Sequence, residues 1–221
     1  MGCELIIFDC DGVLVDSEAI TCRVDARELA RLGFEITATE VAARFIGRPT
    51  QDMLSELEAE QGIPVPAGFR DHLLACVLDS FASELRAVPN AAAALERITV
   101  PVCVASSSDV ARIEESLRLT GLLGFFGPRI FSAKMVARAK PFPDLFELAA
   151  RTLGAEPDDC LVIEDSPTGV AAALAAGMTV YGYVGASHCQ DGHAAGLTAA
   201  GAGLVFDDMA DLPALIESIG R

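Results

Sequence analysis

The sequence predicts an α/β fold, in which a parallel sheet carries helices on both faces and a small all-helical domain is inserted after the first strand. Two observations lead to this prediction. After about residue 89, short apolar runs alternate with helical patterns, which is typical of a parallel sheet covered on both faces. Residues 17–88 instead hold several helical patterns and no convincing strand, so we expect a separate domain there.

The strands of the predicted sheet are short apolar runs. The first, Ile6-Ile7-Phe8, stops at the carboxylates of Asp9-Cys10-Asp11. We expect the later strands at residues 101–105, 129–132, 160–163, 179–183 and 204–206. Helices are expected between them at about 110–117, 143–153, 167–176 and 211–219. Ser166 and Pro167 suit the first positions of the third of these helices, and Gly177 suits its end.

The inserted segment is predicted to be helical throughout. We expect its helices at residues 18–32, 50–61 and 67–85. The last is the clearest because four apolar side chains recur at nearly one-turn spacing, namely Phe69, Leu73, Val77 and Phe81. Val88-Pro89-Asn90 marks the return to the sheet. We therefore expect a core domain of residues 1–16 and 89–221 and a helical domain of residues 17–88.

Asp9 and Asp11 are the first candidate functional residues. They stand at positions i and i+2 after a strand, so both side chains lie on one side, and like charges this close need a cation or a proton. Cys10 faces the opposite way, which predicts a packing role, and Gly12 lets the chain turn. The pair is typical of a metal and phosphate site with a nucleophile and an acid/base, although a plain strand-end turn gives the same pattern.

Three further polar segments follow later strands. Ser106-Ser107-Ser108 opens a helix and offers hydroxyl and main-chain N–H groups to an anion, while Lys140 stands before Pro141, which restricts its direction. Glu164-Asp165 ends a buried strand with the oxygen ligands that Mg²⁺ prefers. Taken singly, the serine run is more typical of a plain helix cap and Lys140 of a solvated loop lysine, and Glu164-Asp165 is compatible with a surface turn. Ligands of parallel sheets bind at the carboxyl ends of strands, so we expect the segments to meet there.

Composition limits the partners and the compartment. The 32 acidic and 16 basic residues give a net charge of −16, which disfavours nucleic acid and anionic membranes as partners. A phosphorylated substrate therefore needs local cations. Seven scattered cysteines without a C-x-x-C pair, and no visible signal peptide or long apolar segment, predict a cytoplasmic protein with reduced thiols.

Together, the four segments resemble the motifs of the haloacid dehalogenase superfamily, in the same order and over nearly the whole chain. The matching residues are Asp9-Cys10-Asp11-Gly12, Ser106, Lys140-Pro141 and the run from Glu164 to Gly169. The resemblance implies a Rossmann-like core, and it makes the inserted helices similar to the family's helical cap. Among its members, the chain is most similar to the small-molecule phosphatases and β-phosphoglucomutases, which share this cap type.

The resemblance also implies a reaction and a metal site. Asp9 would attack phosphorus to form an aspartyl-phosphate, and Asp11 would protonate the leaving group and then activate water. Mg²⁺ would be bound by the Asp9 side chain, the Asp11 carbonyl and Asp165, with Glu164 behind these ligands. The expected reaction is hydrolysis of a small phosphomonoester, such as a sugar or sugar-acid phosphate.

Other residues are expected to bind the substrate, and two alternative functions remain open. The resemblance implies that Lys140, Ser106 and Ser107 bind the phosphoryl oxygens, and Arg48 is expected to contact the substrate from the cap, with a plain surface arginine as the alternative. A phosphosugar mutase remains possible, although Thr21 stands where mutases typically have histidine. A non-catalytic phosphate-binding relative is the other alternative.

The three histidines are not expected to act in catalysis. His72 lies on a helical pattern, which predicts a structural role. His188 and His193 fall in the glycine-rich stretch 185–196 after a predicted strand, and we expect a solvated loop there rather than one that approaches the cleft.

Overall fold

The computed structural model describes residues 2–219 and contains one sheet of six parallel strands. The strands are β1 (Leu5–Phe8), β2 (Val102–Ser106), β3 (Ile130–Ser132), β4 (Cys160–Glu164), β5 (Thr179–Tyr183) and β6 (Leu204–Phe206). They lie in the order β3-β2-β1-β4-β5-β6 and pair in parallel, so all six carboxyl ends lie at one edge. This confirms the predicted α/β class and places β1 inside the sheet, between β2 and β4.

Eleven α-helices accompany the sheet within the described residues. They are α1 (Glu18–Arg31), α2 (Ala38–Phe45), α3 (Thr50–Gln61), α4 (Phe69–Glu84), α5 (Ala91–Arg97), α6 (Val110–Leu119), α7 (Leu123–Phe126), α8 (Asp144–Leu153), α9 (Pro167–Ala175), α10 (His193–Ala200) and α11 (Leu212–Glu217). Helix α10 contradicts the expectation of a loop up to residue 196, since it begins at His193, directly after Gly192.

Both faces of β1 are buried, which explains its uninterrupted apolar run. Leu5 and Ile7 belong to a buried cluster that includes side chains of α8 and α9. Phe8 faces the other way and meets Phe126 of α7 edge to face, with ring centroids 6.1 Å apart. Strands covered on both sides need apolar residues at every position, so alternation is absent from their sequence.

The chain divides into two compact units, one of residues 2–16 and 86–219 and the other of residues 17–85. The sequence placed the return to the sheet at residue 89, three residues later. Residues 86–88 lie in the first unit because they pair with the loop after β1: Asp16 donates its N–H to the Arg86 carbonyl at 2.9 Å, and Val88 donates to the Leu14 carbonyl at 3.0 Å.

The helical unit has an apolar core of its own. Buried side chains of all four helices form it, among them Leu29, Val41, Leu57 and Leu73. Helix α2 was not predicted from the apolar periodicity. Thr37 is its N-cap, and the side chains of Thr37 and Glu40 each accept a hydrogen bond from the other's backbone N–H. Such a core gives the insert a hydrophobic cluster separate from that of the sheet.

All seven cysteines are free thiols. Burial and the flanking aspartates raise the pKa of Cys10 well above its usual value, so Cys10 stays protonated and packs in the core as expected. Between residues 2 and 219, no helix combines the length and the apolar character that a bilayer crossing requires.

Candidate active site

The loop after β1 presents the two aspartates. Asp9 still belongs to the sheet, since its N–H donates to the Ile163 carbonyl of β4 at 3.0 Å. The chain then turns tightly, with Leu14 donating its N–H to the Cys10 carbonyl at 2.9 Å. Gly12 has φ +76°, a left-handed conformation that favours glycine, and this lets the loop fold back over the strand end.

Lys140 is a buried cation between two carboxylates. Its side chain is 2% exposed, with Nζ 2.6 Å from Glu164 Oε1 and 3.2 Å from Asp9 Oδ1. Nζ also donates to the Ala105 carbonyl at 3.0 Å. Burial opposes the charge, but Asp9 and Glu164 outweigh it and raise the pKa of Lys140 above its usual value. Lys140 is therefore a fixed ammonium beside Asp9.

The segment after β4 fixes Glu164. Its Oε2 accepts hydrogen bonds from the N–H groups of Asp165 and Ser166 and from the Ser166 hydroxyl, all at 3.0 Å. The Ser166 hydroxyl in turn accepts from the N–H of Gly169 at 3.0 Å and caps α9 as predicted. A side chain at Gly169 would not fit, because its Cβ would lie 1.8 Å from Glu164 Oε1.

The serine run after β2 divides into different roles. Ser106 is buried, and its hydroxyl accepts a hydrogen bond from the N–H of Ser108 at 3.1 Å, while Ser107 is half-buried. The Ser108 hydroxyl donates to Asp11 Oδ2 at 2.7 Å. Sequence reasoning did not single out Ser108, although it stands in the same run.

Arg112 is a second residue that the sequence analysis missed. It lies in the first turn of α6, and its Nη2 is 2.9 Å from Asp11 Oδ1. The Arg112 side chain is 14% exposed and that of Asp11 is 11% exposed. Arg112 and Ser108 thus bind the two oxygens of one carboxylate, from positions four residues apart. This spacing of four residues at the start of α6 is the one feature of the sequence that relates Ser108 to Arg112.

The charges at this edge of the sheet are unbalanced within the described residues. Four carboxylates meet two permanently cationic side chains: Asp9, Asp11, Glu164 and Asp165 with Lys140 and Arg112. Burial, then the Glu164 carboxylate, raises the pKa of Asp165 well above its usual value, and burial raises that of Asp9 despite Lys140. When all four carboxylates are ionised, the excess of two negative charges is what one divalent cation balances.

The available ligand atoms fit such a cation. Carboxylate oxygens of Asp9, Glu164 and Asp165 lie within 4.8 Å of one another. Asp9 Oδ1 and Asp165 Oδ2 are buried, and apart from Lys140 Nζ at 3.2 Å and His188 Nε2 at 3.0 Å they have no hydrogen-bond donor among the residues that the structure describes. Hard oxygen ligands of this kind suit Mg²⁺. Asp9 and Asp165 would hold the ion, because Glu164 is already bound to Lys140 and the main chain.

The structure brings both loop histidines to Asp165, against expectation. His188 Nε2 is 3.0 Å from Asp165 Oδ2, and the His188 side chain is 3% exposed. His193 Nε2 is 2.6 Å from the Asp165 carbonyl oxygen. The expectation of a solvated loop was wrong here because contacts between distant segments leave no local pattern. The one available signal was their place after β5, at the same edge of the sheet.

Two other predicted residues lie in the helical unit. Arg48 Nη2 is 2.8 Å from Glu56 Oε2, and its guanidinium lies over the Phe45 ring, 5.1 Å from the centroid. A substrate contact from Arg48 remains a proposal. His72 lies on α4 with Nε2 3.1 Å from the buried Glu28 carboxylate, in agreement with its expected structural role.

Known proteins share this fold and these segments. A family model described as haloacid dehalogenase-like hydrolase matches residues 3–177. Over 191 residues the chain is 32% identical to the 6-phosphogluconate phosphatase of Escherichia coli (strain K12), covering 86% of this chain and 84% of that protein. Among solved structures, a haloacid dehalogenase-like protein of unknown function from Agrobacterium tumefaciens str. C58 is 40% identical, with complete coverage of both chains and a TM-score of 0.87.

A second solved structure is that of a HAD family hydrolase from Deinococcus radiodurans R1 with bound phosphate and sodium. It is 36% identical, has a TM-score of 0.78, and the match covers 97% of this chain and 95% of that one. The family model covers most of this chain, and the relatives agree with it in sequence and in fold. The chain therefore belongs to the haloacid dehalogenase-like hydrolases.

Proposed function

We propose that this chain is a Mg²⁺-dependent phosphatase that hydrolyses a small phosphorylated metabolite through an aspartyl-phosphate intermediate. The observation that supports it most directly is the buried contact of Lys140 with both Asp9 and Glu164, next to Asp165. One nucleophilic carboxylate, one fixed cation and further oxygen ligands then lie together, as phosphoryl transfer requires. Membership of a hydrolase family and relatives named as phosphatases support the same activity.

In the first step, an Asp9 carboxylate oxygen attacks phosphorus and the bond from phosphorus to the leaving oxygen breaks. Repulsion between a carboxylate and a phosphate dianion opposes this approach. Lys140 reduces the repulsion because its ammonium group stays charged 3.2 Å from Asp9 Oδ1. Asp9 and Asp165 would hold Mg²⁺, which would supply further charge neutralisation. Ser106 and Ser107 are proposed to bind the other phosphoryl oxygens.

Asp11 is proposed as the acid and base. It gives a proton to the leaving alkoxide, and in the second step it takes a proton from the water that attacks the aspartyl-phosphate. Its carboxylate lies between Ser108 and Arg112, so its position is defined before substrate binds. A fixed position matters because proton transfer needs hydrogen-bond distance to the leaving oxygen.

The proposed substrate is a sugar or sugar-acid phosphate in the cytoplasm. The E. coli relative is named for 6-phosphogluconate, a phosphorylated sugar acid. We propose the helical unit as a cap and Arg48 as its contact with polar substrate groups, since a guanidinium suits carboxylate or phosphate. Free cysteines agree with a reducing compartment.

Hydrolysis of p-nitrophenyl phosphate tests the proposal, followed by a screen of phosphorylated metabolites. We expect turnover with Mg²⁺, none with excess chelator, and a loss of at least about 10³-fold in Asp9→Asn, because an amide is not a nucleophile here. The variant keeps the size of the side chain, and circular dichroism checks its fold. Turnover that survives in folded Asp9→Asn contradicts the proposed nucleophile.

A further inference from the structure

The proposed reaction does not use two histidines that follow β5: His188, in the segment before α10, and His193, the first residue of α10. His188 lies against the Asp165 carboxylate, with Nε2 3.0 Å from Oδ2, while His193 lies against the Asp165 main chain, with Nε2 2.6 Å from the carbonyl oxygen. The two rings pack edge to face, 5.4 Å apart at 85°. A single residue is thus contacted at its side chain and at its backbone by one packed pair.

This segment is anchored rather than free. Both the N–H and the hydroxyl of Ser187 donate to Asp16 Oδ1, at 3.1 and 2.8 Å. Asp16 ends the loop that begins with Asp9, so the loop after β1 holds the residue next to His188. At the other side, His193 begins α10 and donates its N–H to the Gln190 carbonyl at 3.0 Å. Both histidines are therefore fixed in place relative to Asp165.

The close fit extends to Gly12, which packs against the same Asp165 oxygen as His188. A Cβ built on Gly12 would lie 1.9 Å from Asp165 Oδ2 and 2.8 Å from His188 Cε1. The three residues therefore pack without space for one additional carbon. Because Gly12 and His188 both pack closely against Oδ2, the Asp165 carboxylate has little freedom to rotate.

The contacts define what the imidazole nitrogens do. A carbonyl oxygen only accepts, so Nε2 of His193 carries a proton and donates to Asp165. When Asp165 is ionised, as a cation ligand must be, a lone pair on His188 Nε2 would repel its oxygen 3.0 Å away, whereas an N–H is attracted to it. A nitrogen that carries a proton cannot ligate a metal ion. This geometry favours orientation of Asp165 over direct binding of the cation by either histidine.

We propose that His188 and His193 are positioning residues that hold Asp165 in the orientation in which it binds the divalent cation. The inference rests on the proposed function, in which Asp165 is a cation ligand. Residues that orient a ligand in this way typically change metal affinity 10–100-fold when they are removed. We expect metal affinity to fall more when His188 is removed than when His193 is removed, because His188 contacts the carboxylate itself.

Isothermal titration calorimetry with Mn²⁺, without substrate, tests this role by a readout other than activity. We expect Kd to rise at least about tenfold in His188→Ala. His188→Gln places an amide N–H near the position of Nε2 and is expected to restore most of the affinity. His72→Gln, which changes a histidine of the helical unit, serves as the matched control with unchanged Kd. Circular dichroism of each metal-free variant checks the fold.

The outcomes separate this inference from the proposed function. Wild-type protein that binds Mn²⁺ and hydrolyses phosphomonoesters, with His188→Ala binding equally well, overturns the positioning role alone. Wild-type protein that binds no Mn²⁺ and hydrolyses nothing overturns the proposed function and the inference with it. Pulsed electron paramagnetic resonance of bound Mn²⁺ adds a direct check: strong ¹⁴N coupling lost in His188→Ala would mean that His188 is itself a ligand and would overturn the positioning role.

Discussion

At the scale of single residues, Lys140 determines the electrostatics of the site. It is buried, yet it remains charged because two carboxylates lie within 3.2 Å of its ammonium group. A buried ion pair of this kind is costly to break, by about 3–5 kcal/mol when one partner is removed. The sequence analysis found this residue because Pro141 follows it and because Lys140-Pro141 matches a motif of the superfamily that the chain resembles.

Arg112 gives a prediction at the same scale. If it positions Asp11 for proton transfer, Arg112→Gln should affect substrates with poor leaving groups most, since a nitrophenolate leaves without a proton. We expect kcat/KM to fall at least about tenfold for a sugar phosphate and about twofold or less for p-nitrophenyl phosphate. The measurement is the ratio of the two kcat/KM values in variant and wild type.

Arg118→Gln is the matched control for this experiment. Arg118 lies on the same helix, but it is exposed and pairs with Glu115. The Arg118→Gln substitution should leave kcat/KM unchanged for both substrates. Equal losses for both substrates in Arg112→Gln would show that Arg112 supports binding or folding rather than proton transfer by Asp11.

The residues that sequence could predict share a local signature. Asp9, Asp11 and Asp165 each follow a buried apolar run, and alternation along a strand indicates their direction. Arg112 and His188 carry no such signature, since one lies on a helix and the other in a glycine-rich segment. Their roles come from contacts across about 100 and 20 residues of chain, to Asp11 and Asp165. Such contacts exist only once the topology is known.

At the scale of elements, helices α1 and α4 are joined through a buried carboxylate. Glu28 of α1 is 1% exposed and accepts hydrogen bonds from Arg27 and Arg31, with His72 of α4 3.1 Å away. Burial opposes its ionisation, but these hydrogen bonds prevail and lower the pKa of Glu28 to about 2 from 4.5. The ionised form is therefore stabilised in the folded state.

Glu28 predicts a pH dependence of stability. Because its pKa is lower in the folded state, its contribution is complete above pH 4.5 and is lost as the pH falls from 4.5 towards 2. The free energy of unfolding in urea should differ most between wild type and Glu28→Gln near pH 6, and this difference should be smaller at pH 3. Because the other acidic groups are present in both proteins, their effects cancel in the difference between the two free energies of unfolding. A difference that stays constant over this range would contradict the proposed role of the ionised carboxylate.

Element prediction succeeded where the hydrophobic pattern was strong. Strands β5 and β6 and helix α3 have the predicted bounds, because turn residues mark their ends. Helix α2 was missed because it has only eight residues, although Thr37 and Glu40 form a recognisable cap. Helix α10 was missed because it begins inside a glycine-rich stretch and buries only Leu197, so it shows no apolar periodicity. Short helices depend on caps and packing more than on periodicity.

At the scale of the whole molecule, the chain is acidic, yet two cationic side chains lie at the carboxyl edge of its sheet. The net charge of −16 disfavours binding of phosphorylated ligands over most of the surface. The carboxyl edge of the sheet instead contains Lys140 and Arg112, together with a carboxylate set that fits a divalent cation. The parallel topology brings these groups together, because every strand ends at the same edge.

Chemical trapping of the intermediate tests the central claim most directly. Protein mixed with Mg²⁺ and substrate is quenched with borohydride, which reduces an aspartyl-phosphate to homoserine, and the peptides are analysed by mass spectrometry. The account predicts homoserine at position 9, dependent on substrate and absent in Asp9→Asn. Steady turnover with homoserine at another aspartate, or with none at any position, would contradict it.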